Sequence, residues 1–438
     1  MSDRKRYAIV GLGSRSRMFT TALLKDYPDR GELVALCDQN QTRMDYTNQY
    51  YAETIEAAPL PTYTPENFDR MVEQQRPDCV IVTSIDRSHD RYIIRAMELG
   101  CDAITEKPMT IDAPRCQAIL DAVKATGRQL KVTFNYRYAP RNSKVKELLQ
   151  AGVIGKVLSV HFEWLLDTVH GADYFRRWHR DKRNSGGLMV HKATHHFDLV
   201  NWWLDSQPET VFALGDLRFY GRENAEERGE TRFYERAHGR KAAEKDPFAL
   251  HMERSETLRR MYLEAEQEDG YLRDQSVFGD GISIEDDMAV LVRYRNRATM
   301  SYHLTTYSPW EGYRVAFNGT KGRLEYEVQE YSYISGYTQD ANLPEVRTAQ
   351  QDLVNEPASI TIHPLWGQPV RQDVSIGEGN HGGGDARMLD DIFVGGQVDP
   401  LGRAADHVAG AMSILTGIAA NKSFATGLPV EVASLVRF

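Results

Sequence analysis

Cysteine is scarce and unevenly placed in this chain: Cys37, Cys79, Cys101 and Cys116 all lie in the first third of 438 residues. No two form a C-x-x-C pair, so neither a disulfide framework nor a cysteine zinc site is expected. They read as small buried hydrophobes in a reducing compartment. Long apolar runs are missing too; nothing approaches the ~18 residues of a membrane-spanning helix. The opening MSDRKRYAIVGLG is basic, but its apolar run is too short for a signal-peptide core and no small-residue cleavage site follows. A cytoplasmic protein with no membrane partner is the expectation. Nor is there a basic excess. Lys and Arg number 53 against 62 Asp and Glu, a net charge of -9, which argues against a nucleic-acid partner.

What is present is the composition of a folded soluble protein, 41% hydrophobic and 26% charged. The length suggests two or three units of about 150 residues. Residues 6–130 alternate short apolar runs (YAIVGLG, ELVALCD, DCVIVTS, DAITEKP) with stretches of helical spacing, the pattern of a parallel sheet wrapped in helices. Gly100 and Gly127 sit where helices would stop. Beyond residue 131 the pattern changes. KVTFNYRY reads as a strand, RNSKVKELLQAG as a helix and KVLSVHFEWLL as a strand. MAVLVRYRN, ATMSYHLTTY, YRVAFNGTKGRLEYE and YSYISGY then read as consecutive antiparallel strands, with NGTKG as a tight turn. Residues 218–275 mix both charge signs with aromatics and read as an ordered helical insertion. RAADHVAGAMSILTGIAANKSFATG reads as a long amphipathic helix.

The fold class that follows is α/β: an N-terminal Rossmann dinucleotide-binding domain over 1–131, then an α+β domain over 132–438 with a large, mainly antiparallel, open-faced sheet. In VGLGSRSR, Gly11 permits the tight turn after the first strand, and Gly13 lets the backbone approach a pyrophosphate. Ser16 replaces the third glycine of the usual G-x-G-x-x-G. Asp38 ends the second strand, where a carboxylate binds a ribose diol and repels a 2′-phosphate, so NAD is favoured over NADP. Arg15 and Arg43 keep a phosphate grip open.

TEKPMT (Thr105 to Thr110) ends the strand after VIVTSIDRSHDRYIIRAMELG. With the glycine loop, TFNYRYAP and HKATHHFD, it resembles the Gfo/Idh/MocA oxidoreductases, the glucose-fructose oxidoreductase and inositol dehydrogenase family, over nearly the whole chain. The residues alone support a site here: Lys107 stands at the carboxyl end of a parallel strand, Glu106 could tether it or a ribose, and Pro108 fixes the backbone. A lysine buried beside a nicotinamide would have a lowered pKa, fit for moving a hydroxyl proton. The resemblance implies a cis Lys107–Pro108 peptide. Cofactor contacts are expected from Gly11, Gly13, Ser14, Arg15, Ser16, Asp38, Thr83, Ser84, His89, Glu106, Lys107 and Asn135.

SGGLMVHKATHHFDLVNWWL (185–204) reads as one buried helix. At about 100° per residue, His191, His195, Asp198 and Trp202 share a face, with Lys192 and His196 on a neighbouring stripe. Similar enzymes carry Asp-x-x-x-His here, which puts the family histidine on His195 and the later aspartate on Asp198, as the residue setting the imidazole tautomer. The first aspartate falls on His191, a departure. H-x-x-x-H is metal-ligand spacing, but Lys192 stands where zincins need Glu, so no metal is expected and the histidines read as a substrate wall.

Tyr174, Trp178 and His179 could stack on a sugar ring, and a lid or subunit contact explains them equally. His381 and Asp385, in GNHGGGDARM, could complete a polyol site, and Tyr271 and Asp274 could join it. The leading reading is an NAD-dependent oxidoreductase acting on a sugar, glycoside or cyclitol hydroxyl. Lys107 and His195 would manage the proton, with His191 and Asn135 orienting; Lys192, Asp198, Tyr174, Trp178, His179, His381 and Asp385 would contact substrate. A second reading is a glycosidase or lyase that oxidises transiently, eliminates and re-reduces without net NADH. A third is a non-enzymatic sensor, which the retention of Lys107 and His195 opposes. An open-faced sheet suggests a homodimer or homotetramer. The sugar, the carbon oxidised and the direction are not legible.

Overall fold

Near-continuous apolar runs make the strands of the first sheet, because both of its faces are covered. The structure, a computed structural model, describes residues 4–334, 342, 358–374, 380–396 and 398–438, with the side chains of 380 and 381 outside that description. Strands β1 (Lys5–Val10), β2 (Gly31–Cys37), β3 (Thr62–Tyr63), β4 (Cys79–Val82), β5 (Asp102–Thr105) and β6 (Leu130–Val132) pair in parallel, in the order β3-β2-β1-β4-β5-β6. The order reverses between β1 and β4, the crevice where such sheets bind ligands. The four cysteines are free and buried. Helix Gln41–Ile55 is capped by Asn40 and Ala113–Thr126 by Asp112, each side chain accepting an amide three residues on. Gly127 closes the second helix with φ +66.

The second sheet takes β7 (Val157–Asp167), β8 (Pro208–Asp216), β9 (Asp287–Tyr294), β10 (Thr299–Ser308), β11 (Glu311–Gly319), β12 (Gly322–Tyr331), β13 (Ala358–Pro364), β14 (Val370–Gln372) and β15 (Val430–Glu431). Among the described residues its order is β14-β13-β12-β11-β7-β10-β9-β8-β15, and only β7 and β10 run parallel. Buried and exposed residues alternate along β9 and β10, so one face packs inward. The other face leaves Leu158, Leu214 and Leu291 at least half exposed. Among the described residues no helix is long and apolar enough to cross a membrane.

Four expectations change. The KVTFNYRY strand stops at Val132, and Asn135–Tyr138 forms a 3-10 turn, its carbonyls held by Asn142 and Ser143. The YSYISGY strand is only the end of β12 at Tyr331; its last residues, 335–337, lie outside the described residues. The insertion over 218–275 has only short helical pieces, such as Arg222–Glu227 and Glu266–Asp269. Its order comes from ion pairs and aromatic packing, since charges this dense gain more from partners than from a solvated helix face. The terminal helix, His407–Thr426, is not amphipathic in place: Gly410 to Gly417 are all buried. It runs between the two domains, against β6, β8 and the histidine helices.

That crossing demands small residues. A Cβ on Gly417 would lie 2.2 Å from the Met189 carbonyl oxygen. Gly417→Ala should therefore destabilise the protein by about 1–3 kcal/mol despite its better helix propensity, read as a lower urea midpoint.

Candidate functional site

The glycine loop is built for close approach. Gly11 has φ +89, and a Cβ there would lie 2.4 Å from the Ser84 backbone, so only glycine fits between the ends of β1 and β4. Gly13 faces open space, the nearest atom to its would-be Cβ being the Tyr262 hydroxyl at 3.8 Å. Ser16, in place of the third glycine, tightens the turn: its amide and Oγ both donate to the Gly13 carbonyl, at 3.0 and 2.8 Å. Asp38 accepts the Leu12 amide on one oxygen (2.6 Å) and the Asn40 amide on the other (2.9 Å). These residues fit a dinucleotide: a loop open to the cavity at Gly13, a cradle that a side chain would fill, and an acidic side chain at the second strand end.

The loop opens into a cavity of about 1340 Å³ that also takes in Thr83, Ser84, His89, Glu106, Lys107, Tyr174, Trp178, His179, His191, Lys192 and His195. The Lys107–Pro108 peptide is cis. Lys107 Nζ donates to the His191 carbonyl at 3.3 Å. Burial brings its pKa down to about 8 against the opposing pull of Asp86 and Glu106. Asp86 Oδ2 lies 2.5 Å from His191 Nδ1. Burial raises the Asp86 pKa well above the usual carboxylate value, while Lys107 and Arg177 oppose it. The same burial, with Lys107 and Arg177 near, keeps the His191 imidazole neutral. A carboxyl group thus stands beside position 191 after all, delivered from the other domain.

The histidine segment is two helices, Leu188–His191 and Thr194–Leu204, not one. The break corrects the helical-wheel grouping. His195 N–H donates to the Lys192 carbonyl, leaving the His191 carbonyl to Lys107. His191 and His195 both line the cavity, His195 edge-on to the Tyr136 ring at 4.7 Å. His196 instead stacks on Trp164 at 3.9 Å and pairs with the Tyr302 hydroxyl at 2.6 Å, deep in the core. Among the described residues no three His, Cys, Asp or Glu are grouped to hold a metal. Asp198 lies off the cavity: both its oxygens accept from buried Arg137, at 2.7 and 2.6 Å, so it holds that guanidinium rather than an imidazole or a substrate. A buried carboxylate within reach of a guanidinium makes the bidentate pair.

Other expected residues divide. Tyr174, Trp178 and His179 surround His191, with ring centroids 5.5, 5.9 and 4.2 Å away. Asn135 and Asp385 do not line the cavity; Asn135 Nδ2 donates to Asp385, which faces Arg15, and Arg15 donates to Glu106. They brace the site from behind. Tyr271 lines the cavity; Asp274 is buried against Arg236. The side chain of His381 lies outside the described residues. Several cavity residues were not foreseen. Glu311 pairs with His170 at 2.7 Å, and Asp173 is held below the usual carboxylate range by Arg177, Arg273 and Arg176, which outweigh its burial. Tyr262 and Arg273 come from the insertion. Asp86 had a usable signal, since SIDRS follows a parallel strand end just as Thr83 and Ser84 do. Glu311 and Tyr262, far off in sequence, had none.

Two family models match: the oxidoreductase family NAD-binding Rossmann fold over residues 5–134, and the oxidoreductase family C-terminal alpha/beta domain over 146–432. YteT of Bacillus subtilis (strain 168), named only as an oxidoreductase, is 35% identical over 98% of both chains. The inositol 2-dehydrogenase/D-chiro-inositol 3-dehydrogenase of Lactiplantibacillus plantarum is 28% identical over 33% of this chain and 38% of its own. Aldose-aldose oxidoreductase from Caulobacter crescentus shares the fold, with a TM-score of 0.61 at 16% identity over 98% of this chain and 99% of its own.

Asp198→Ala should strand the Arg137 cation in the core. A loss of about 3–5 kcal/mol in unfolding free energy is expected, with dinucleotide binding retained in the folded fraction.

Proposed function

The chain belongs to the Gfo/Idh/MocA oxidoreductases, and we propose that it oxidises or reduces a secondary hydroxyl of a sugar, glycoside or cyclitol with NAD. The observation that carries this reading is Lys107: a desolvated amine in the cavity that holds the glycine loop, with His191 and His195 on the same wall. A bound nicotinamide supplies the hydride acceptor or donor. Lys107 in its neutral form takes the hydroxyl proton at Nζ, and its ammonium returns it in the reverse direction. The His191 carbonyl aims Nζ, and Asp86 fixes the His191 ring by Nδ1, leaving Nε2 for a substrate hydroxyl. His195 shares the proton work from beside Tyr136. The Tyr174–Trp178–His179 wall suits the apolar face of a ring.

NAD rather than NADP is supported by Arg43. Its guanidinium is taken up by Asp38 at 3.4 Å, Asp269 at 2.5 Å and the Met261 carbonyl, so it is not free to receive a 2′-phosphate. Exposed Leu158, Leu214 and Leu291 on the open sheet face support a homodimer or homotetramer. One observation favours the glycosidase or lyase reading. Lys192, 5% exposed, lines the cavity with its ammonium charge disfavoured by burial, against the pull of Glu311 and Glu330. That is a second base where an elimination needs one. On a glycoside panel, aglycone release without NADH accumulation would establish it; stoichiometric NADH would establish the dehydrogenase.

Lys107→Met should lower kcat by roughly 100-fold or more on whichever cyclitol or sugar is turned over, with the NADH dissociation constant unchanged. As pH rises through about 8 the wild-type amine loses its proton and can accept one, so oxidation should speed up and reduction slow down. The variant should show neither limb. An unchanged rate or pH profile would remove Lys107 from the proton path.

A further inference from the structure

The insertion does more than decorate the second domain. Leu250, Leu258, Tyr262, Asp269, Tyr271 and Arg273 all line the cavity that holds the glycine loop. The Tyr262 hydroxyl accepts the Ser14 amide at 3.0 Å and pairs with Ser14 Oγ at 2.7 Å. Its ring lies under two guanidiniums, Arg273 at 4.6 Å and Arg43 at 5.6 Å. Around it the insertion grips the start of helix Gln41–Ile55. Asn40 Nδ2 donates to the Ala265 carbonyl at 2.8 Å, and the Gln41 and Thr42 amides donate to Glu268 at 2.5 and 3.1 Å. Arg43 reaches Met261 and Asp269. An apolar cluster of Tyr46, Leu250, Met252, Leu258, Met261 and Tyr262 backs these bonds.

We propose that this segment is a third wall of the cofactor site and that Tyr262 is a cofactor-binding residue, its hydroxyl reaching the pyrophosphate at the Ser14 amide. The inference rests on the NAD reading above. The Ser14 amide is the kind of loop donor that receives a phosphate oxygen in this fold. An oxygen arriving there takes the amide in place of the Tyr262 oxygen, whose O–H can turn from Ser14 Oγ onto the anion. Arg273, stacked on the same ring, adds a positive field, and together they hold the phenol below its usual pKa despite burial. Because the wall is bonded to both the loop and helix Gln41–Ile55, a dinucleotide leaves only when those bonds open. Release is therefore slow.

NADH is the probe, used with the full chain, and its dissociation is followed by stopped-flow fluorescence on displacement with NAD+. Tyr262→Phe keeps the ring and removes the hydroxyl; a loss of about tenfold or more in NADH affinity is expected. The ³¹P signals of bound NAD+ should also move. Glu268→Gln, which leaves Tyr262 in place, should speed NADH release several-fold by loosening the wall. Unchanged affinity and ³¹P signals in Tyr262→Phe would overturn the contact, and an unchanged release rate in Glu268→Gln would overturn the wall. Wild-type protein that binds neither NADH nor NADPH would overturn the cofactor reading itself, a result distinct from either.

Discussion

Keeping one lysine dry is the constraint on which the rest of the site depends. Removing an ammonium from water costs several kcal/mol unless opposing charge and hydrogen bonds meet it. Lys107 meets Asp86, Glu106 and the His191 carbonyl, and each of these is itself held. Asp86 is tied to the His191 ring and Glu106 to Arg15. Arg15 faces Asp385, which accepts from Asn135. The chain of partners runs from one domain to the other and back. Moving any member would change how much charge Lys107 feels, and hence when it can accept a proton.

The break between the two histidine helices is part of the same arrangement. In an unbroken helix the His191 carbonyl would be occupied by the amide of residue 195. Here that amide goes to Lys192, and the freed carbonyl becomes the acceptor that aims Lys107. The His191 side chain turns to Asp86, which supplies the carboxyl group that the residue at 191 itself lacks. Relative to the Asp-x-x-x-His pattern of similar enzymes, the carboxyl group has moved from the helix to the loop after β4, with an imidazole beside it on the cleft.

Local rules made much of this legible in the sequence. Gly11, Gly13, Asp38 and Lys107 sit at strand ends, and strand ends of a parallel sheet converge whatever the rest of the chain does. His191 and His195 were found because both stand on one short segment. Where the reading failed, the cause was a partner remote in sequence. Asp198 shares a wheel face with His195, but Arg137 lies closer in space and takes it. His196 sits beside two cavity histidines, yet Trp164 and Tyr302 draw it into the core. The insertion looked helical because its charges could be solvated on a helix face; instead Arg236, Glu268 and Asp269 found partners that shape it otherwise.

The two ends of the cleft are thus bridged by the same means, bonds between the domains. At one end Asp86 and Lys107 of the first domain meet His191 of the second. At the other, Ser14 and the start of helix Gln41–Ile55 meet Tyr262, Glu268 and Asp269. A dinucleotide bound as proposed would touch both domains rather than one. Contacts of that kind keep Lys107 away from solvent, which lowers its basicity and strengthens the charge interactions around it. It also bears on the choice between the two chemistries. With the proposed third wall in place, a dehydrogenase that exchanges its nucleotide would open the insertion contacts once per turnover, whereas a reaction that oxidises and re-reduces one substrate in place would not need to.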